Sequence, residues 1–173
     1  MIVLANQVAQ FHREFGHPVN EHPSNVSIQD LRLRIKLVIE ELCELVDGLN
    51  TDDPLMWSNL RYHLKSAHDG CDALEPAKID SLATLDAIAD LSYVITGLGL
   101  SLGLPLVQAV DEVHKSNMSK LGPNGQAIFG ADGKIKKGSN YKPPDLAQFL
   151  SGNGNRFLSA WDAVLHPKGP TNE

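Results

Sequence analysis

Apolar residues recur at helical spacing through most of the chain, and the breaks between runs hold the residues that start or stop helices. Val3, Leu4, Val8, Phe11 and Phe15 lie three or four apart, which predicts a helix from Met1 to Phe15, stopped by Gly16. A Pro- and Asn-rich loop, residues 17–25, follows. Ser27 with Asp30 three residues on has the form of a shortened capping box. From Ile28 to about Leu49, the stripe Leu31, Ile35, Val38, Leu42, Leu45 and Leu49 predicts a long amphipathic helix. Pro54 suits the first position of a third helix carrying Leu55, Met56, Trp57, Leu60 and Leu64, with a loop expected from His68 to Pro76.

Asp80 or Ser81 caps a fourth helix, expected to reach about Leu102. Its apolar residues (Leu82, Leu85, Ile88, Ala89, Leu91, Val94, Ile95, Leu98) surround it nearly completely, the pattern of a central, buried helix. Gly103 ends it, Pro105 opens a fifth helix from Leu106 to Lys120, and Gly122-Pro123 stops that one. Beyond Leu121 the character changes. Ala127-Ile128-Phe129 and Lys134-Ile135-Lys136 flank a Gly-containing turn and predict a small β-hairpin. Asp145–Leu150 and Phe157–Leu165 read as short helices before an irregular tail. The expected fold is all-α: a bundle of four or five helices with a short hairpin, a main domain over residues 1–146 and an extension over 147–173.

Composition narrows the function. A length of 173 residues with 42% hydrophobic content supports a real core, while a net charge of -6 argues against a nucleic-acid polymer as partner. Acidity does not exclude a phosphate substrate, because a bound cation reverses the local sign. Cys43 and Cys71 form no Cys-x-x-Cys pair; Cys43 reads as a small buried thiol, and a reducing cytoplasm is the expected setting. The N-terminus lacks a basic region, so it is not read as a signal peptide. No stretch is expected to span a membrane, Leu91 to Leu106 coming nearest. His68-Asp69 spells the dipeptide of HD phosphohydrolases without the matching residues elsewhere, and neither a zinc His pair nor a Gly-rich phosphate loop occurs.

The chemical signal is carboxylates inside apolar helices: Glu40, Glu41 and Glu44 in the second, Asp86 and Asp90 in the fourth. At about 100° per residue, Leu37 and Leu45 lie about 40° to either side of Glu41, which turns Glu41 toward the apolar side. Asp86 and Asp90 share a face by the same rule. Most helical carboxylates are simply solvated, and Arg32, Arg34 or Lys36 could pair with these. Five together on two helices nevertheless suggest a compensating cation, since an unpaired buried carboxylate costs about several kcal/mol. Mg²⁺ is hard, takes oxygen ligands and binds substrate phosphates; Mn²⁺ is the alternative.

Glu40-Glu41-Leu42-Cys43-Glu44-Leu45, then Asp86-Ala87-Ile88-Ala89-Asp90-Leu91-Ser92-Tyr93-Val94, then Glu112 to Lys120, resemble the MazG-type all-α NTP pyrophosphatase superfamily. Lys136 to Leu146 is similar to the tail of its phosphoribosyl-ATP pyrophosphohydrolase-like branch. The resemblance implies hydrolysis of a nucleoside triphosphate to monophosphate and pyrophosphate, in a homodimer or homotetramer. It implies metal ligation by Glu41, Glu44 and Asp90. The family's third acid would stand at Ala87, and Asp86, one turn before Asp90, is expected to replace it. Glu40 or Glu41 would accept the proton of the attacking water. Asn117, Lys120, Tyr141, Lys142 and Arg34 would hold the phosphates, and Gln7, Phe11 and His17 are weaker candidates for a base pocket. Lys120 could instead be a cation favoured at a helix C-terminus. Two competing readings remain: a phosphoribosyl-ATP pyrophosphohydrolase, and a helical oligomer that binds nucleotide without turnover.

Overall fold

The computed structural model describes residues 2–49, 54–75, 78–130 and 134–150. Six α-helices are present among them: α1 (Ile2–Glu14), α2 (Ile28–Leu49), α3 (Pro54–Gly70), α4 (Ser81–Ser101), α5 (Leu106–Met118) and the short α6 (Ala147–Leu150), with a 3₁₀ turn at Cys71–Ala73. The all-α expectation holds, and the helix ends show why it was readable. At Gly16 (φ 68°) and Gly103 (φ 67°) the chain enters the left-handed region that glycine tolerates. Each closes its helix with paired bonds: His17 N–H to the His12 carbonyl at 2.7 Å, and Leu104 N–H to the Gly99 carbonyl at 2.9 Å. Ser27 Oγ accepts from Asp30 N–H at 3.0 Å. Asp80 is the cap of α4, its Oδ1 accepting from Leu82 and Ala83 N–H, both at 3.1 Å.

The chain divides into two compact units, residues 1–21 with 85–173, and residues 22–84. In the first, α1 packs on α5, Gln7 Nε2 donating to Asp111 Oδ1 at 2.8 Å. Phe15 is buried to 1% exposure, with the Phe11 ring stacked on it at 4.3 Å. In the second, α2 pairs with α3 and the 3₁₀ turn, burying Val46 and Cys71. The expected loop from His68 is instead the last turn of α3 followed by that 3₁₀ turn. Arg32, from α2, explains part of this: its guanidinium donates through Nε (3.0 Å) and Nη2 to the carbonyl of Leu74, fastening the end of the turn. Lys36 Nζ meets Asp72 at 2.6 Å beside it.

Four further expectations need correcting. The hairpin reduces, among the described residues, to one antiparallel bridge, Phe129 with Ile135; residues 131–133 lie outside the described set. Three-residue arms with no third strand bury too little to extend a ladder. Second, α4 is exposed rather than buried among the described residues: Leu82 (79%), Leu85 (66%), Tyr93 (82%) and Val94 (60%). A helix apolar on most sides calls for cover. Third, α4 as a whole, 21 residues, is long and apolar enough to cross a membrane by length and composition. Asp86 and Asp90 near its middle oppose that use, at about 2.5–3.5 kcal/mol for an Asp at a helix centre in a bilayer. Cys43 is half-buried; the buried thiol is Cys71. The second predicted terminal helix, residues 157–165, lies outside the described residues.

Truncating Phe15, the side chain buried below 2% exposure among the described residues, should be costly. Phe15→Ala is expected to lose about 3–5 kcal/mol, read as a lower urea midpoint at unchanged slope.

Candidate active site

Because Ser27 sets the register of α2, Glu40, Glu41 and Glu44 emerge in its last three turns, and all three are exposed. Glu41 therefore does not turn into an apolar surface, as its flanking leucines suggested; Leu37 is itself 39% exposed, so that side of the helix is open in the single chain. For Glu40 and Glu44, the rival explanation that nearby cations neutralise them loses two of its three partners: Arg32 holds Leu74 and Lys36 holds Asp72. Glu40 and Glu44 make no hydrogen bond or ion pair among the described residues. Arg34, the third cation, has a buried Nη2 with no hydrogen-bond partner there. A guanidinium donor left unsatisfied is suited to an anion.

Glu40 and Glu44 line a groove of about 270 Å³ together with Cys43 and Asp47 of α2 and Arg61, Lys65 and His68 of α3. The basic wall of this groove was missed in the sequence, where nothing local announces that α3 folds back along α2. Arg61 Nε donates to Asp47 Oδ1 at 2.5 Å, which raises the guanidinium above its ordinary pKa. His68 Nδ1 lies 3.0 Å from Asp69 Oδ1; that contact, more than the nearby Lys65, holds the Asp69 carboxyl below the usual range. The dipeptide thus sits on a helix end.

On α4, Asp86 and Asp90 are one turn apart and exposed, and neither has a partner among the described residues. Three hydroxyls of this helix bond back to its own carbonyls: Ser92 donates to Ile88 at 2.8 Å, Thr96 to Ser92 at 2.7 Å and Ser101 to Gly97 at 2.9 Å.

Four of the five expected phosphate-binding residues belong to one local structure at the end of α5. Lys120 Nζ donates to Asn117 Oδ1 at 2.8 Å. The chain then returns, so that the Lys142 carbonyl accepts from Ser116 Oγ at 2.8 Å and Lys142 N–H donates to Ser119 Oγ at 2.9 Å. Tyr141 carries Lys137 Nζ 4.4 Å from its ring centre. Gln7 is committed to Asp111, and Phe11 to stacking on Phe15, so both have structural roles in this chain. Ser116 and Ser119 were overlooked in the sequence, since their partner is 26 and 23 residues away.

A divalent metal would need hard oxygen donors, and the unpartnered carboxylates Glu40, Glu44, Asp86 and Asp90 are of that kind. No three His, Cys, Asp or Glu side chains among the described residues converge into a cage. Mg²⁺ does not demand one, since it commonly takes one or two protein carboxylates and completes its octahedron with water and phosphate. The donor chemistry therefore fits.

Comparison with known proteins now decides the family. The family model described as phosphoribosyl-ATP pyrophosphohydrolase matches residues 8–117. The chain belongs to that family, within the MazG-like all-α NTP pyrophosphohydrolases. Its fold is similar to the crystal structure of a candidate NTP pyrophosphohydrolase from Exiguobacterium sp. 255-15, with a TM-score of 0.66, 26% identity, and coverage of 85% of this chain and 91% of the other. It is also 28% identical over 134 residues to an uncharacterised protein of Acanthamoeba polyphaga mimivirus; the match takes in 75% of this chain but spans only 40% of that relative. Pyrophosphohydrolases of this family are hydrolases, typically dependent on a divalent metal.

The ion pairs around the 3₁₀ turn give a pH prediction. Lys36 holds the Asp72 carboxyl below the usual range through a hydrogen bond, and Asp69 is lowered likewise by His68. Carboxyls lowered in the folded state stabilise it above their unfolded pKa, and that contribution disappears as pH falls through the folded value. Asp72→Asn is expected to flatten the loss of thermal stability below about pH 4, by a small amount because the pair is exposed. Melting curves across that range check it.

Proposed function

We propose that this protein is a Mg²⁺-dependent pyrophosphohydrolase that cleaves the α–β anhydride of a nucleoside or deoxynucleoside triphosphate, releasing monophosphate and pyrophosphate. The observation that carries the reading is a family member with the unpartnered carboxylates Glu44 on α2 and Asp86 and Asp90 on α4, among the described residues, and a lysine-bearing structure at the end of α5. Glu41, Glu44, Asp86 and Asp90 are the proposed metal ligands, with Asp86 standing in for the acid absent at Ala87. When bound, Mg²⁺ supplies charge neutralisation, a more acidic bound water and support for the leaving pyrophosphate. Glu40 or Glu41 accepts the proton of the attacking water. Asn117, Lys120, Tyr141, Lys142 and Arg34 orient the phosphates and balance their charge. The role is cleansing of the nucleotide pool in the cytoplasm, with a deoxyuridine- or deoxycytidine-type triphosphate as the preferred substrate.

Assembly belongs to the same reading. The exposed leucines, Ile88 (57%), Tyr93 and Val94 of α4 form apolar surface that a second copy of the chain would cover, in a homodimer or homotetramer. The matched family description favours a second substrate, phosphoribosyl-ATP, cleaved by the same chemistry.

The ligand assignment predicts how two variants behave. Glu44→Gln and Asp90→Asn should each lower pyrophosphate release by more than about a hundredfold, above the loss typical for groups that only support a metal ligand. Circular dichroism should be unchanged, and melting in EDTA equal to or above wild type, because repulsion between acids is relieved. Full activity in both variants would remove the metal site from these helices.

A further inference from the structure

The segment from Lys115 to Lys142 carries six lysines and one aspartate, in a chain whose net charge is -6. Left to itself, a loop bearing Lys136, Lys137 and Lys142 would be repelled from a helix end bearing Lys115 and Lys120. The structure holds it there with uncharged groups. Ser116 is 6% exposed and spends its hydroxyl on the Lys142 carbonyl at 2.8 Å. Ser119 Oγ accepts Lys142 N–H at 2.9 Å and donates to the Ser116 carbonyl at 2.7 Å. Gly138 N–H donates to the Lys120 carbonyl at 3.1 Å, and Tyr141 N–H to the Gly138 carbonyl at 3.1 Å. Position 138 must be glycine for this approach: a Cβ there would lie 2.6 Å from the Leu121 carbonyl oxygen and 3.1 Å from that of Lys120. Both backbone polar groups of Lys142 are thus consumed by serines flanking Asn117, while its side chain stays exposed.

We propose that Ser116, Ser119 and Gly138 are positioning residues: they fasten residues 138–142 to the last turn of α5, so that Lys142 joins Asn117 and Lys120 in a preorganised polyphosphate seat. The proposal rests on the reading above for its ligand. The restraint acts on the backbone of Lys142 and leaves its ammonium free to bind. It holds like charges together before any anion arrives, so the ordering cost is not drawn from ligand affinity. Ser119 consequently acts through Lys142, and its effect should vanish when the Lys142 side chain is absent.

The test uses the full chain with Mg²⁺, inorganic tripolyphosphate as the calorimetric probe, and amide exchange at Lys142. Ser119→Ala should weaken tripolyphosphate about tenfold and raise KM for a triphosphate substrate far more than it lowers kcat. Ser119→Thr, which keeps the hydroxyl, should restore both. Added to Lys142→Ala, Ser119→Ala should cost nothing further. Protection of the Lys142 amide should be lost in Ser119→Ala and kept in Ser119→Thr, and Gly138→Ala should release it as well. Unchanged affinity or exchange in Ser119→Ala, or full additivity with Lys142→Ala, would overturn the proposal. Wild-type turnover of triphosphates with no tripolyphosphate affinity would overturn the seat alone; absence of both would also remove the pyrophosphohydrolase reading.

Discussion

Helix α4 joins two demands that the described residues leave unmet. Its apolar side chains need cover, and the same helix carries Asp86 and Asp90 with no partner among the described residues. Covering it with more apolar surface would answer the first demand and sharpen the second, because desolvating an unpaired carboxylate costs about several kcal/mol. A cation relieves that cost, and a divalent one held beside substrate phosphates also does chemistry. On the proposed reading the exposed helix and the acidic site are two aspects of one constraint: an assembly would bury the helix, and a metal would make its carboxylates tolerable there.

Other parts of the chain are organised around charges that must be held apart or together. In residues 22–84, Arg32 and Lys36 are drawn to Leu74 and Asp72, and Arg61 to Asp47. Glu40 and Glu44, in the groove that Arg61 and Lys65 also line, form no hydrogen bond or ion pair among the described residues. At the end of α5 the reverse problem arises, lysines crowded by the fold, and neutral hydroxyl and backbone bonds restrain them. A polyphosphate with its metal carries charges of both signs and has a use for both arrangements.

The sequence was most informative where the physics is local. Gly16, Ser27, Pro54, Asp80 and Gly103 bound helices because capping depends on a few adjacent residues, and the structure puts the helix ends within a residue or two of where these residues put them. The acidic motifs and the family resemblance were likewise visible as short patterns. Long-range contacts were not: Arg32 on Leu74, α3 along α2, and Ser116 on Lys142 join residues dozens of positions apart. The exposure of α4 was hidden for another reason. A helix apolar all round reads as buried whether the cover comes from its own chain or from another molecule, and the pattern contains no term that separates them. The hairpin failed because alternation over three residues cannot say whether a sheet exists to receive it.

The most direct test of the account is phosphorus NMR of the products formed from a panel of nucleoside triphosphates and phosphoribosyl-ATP, with Mg²⁺ and with EDTA. The account predicts pyrophosphate and the matching monophosphate in equal amounts, only with the metal, and the base preferred identifies the substrate class. Release of orthophosphate, or hydrolysis undiminished by EDTA, would contradict it.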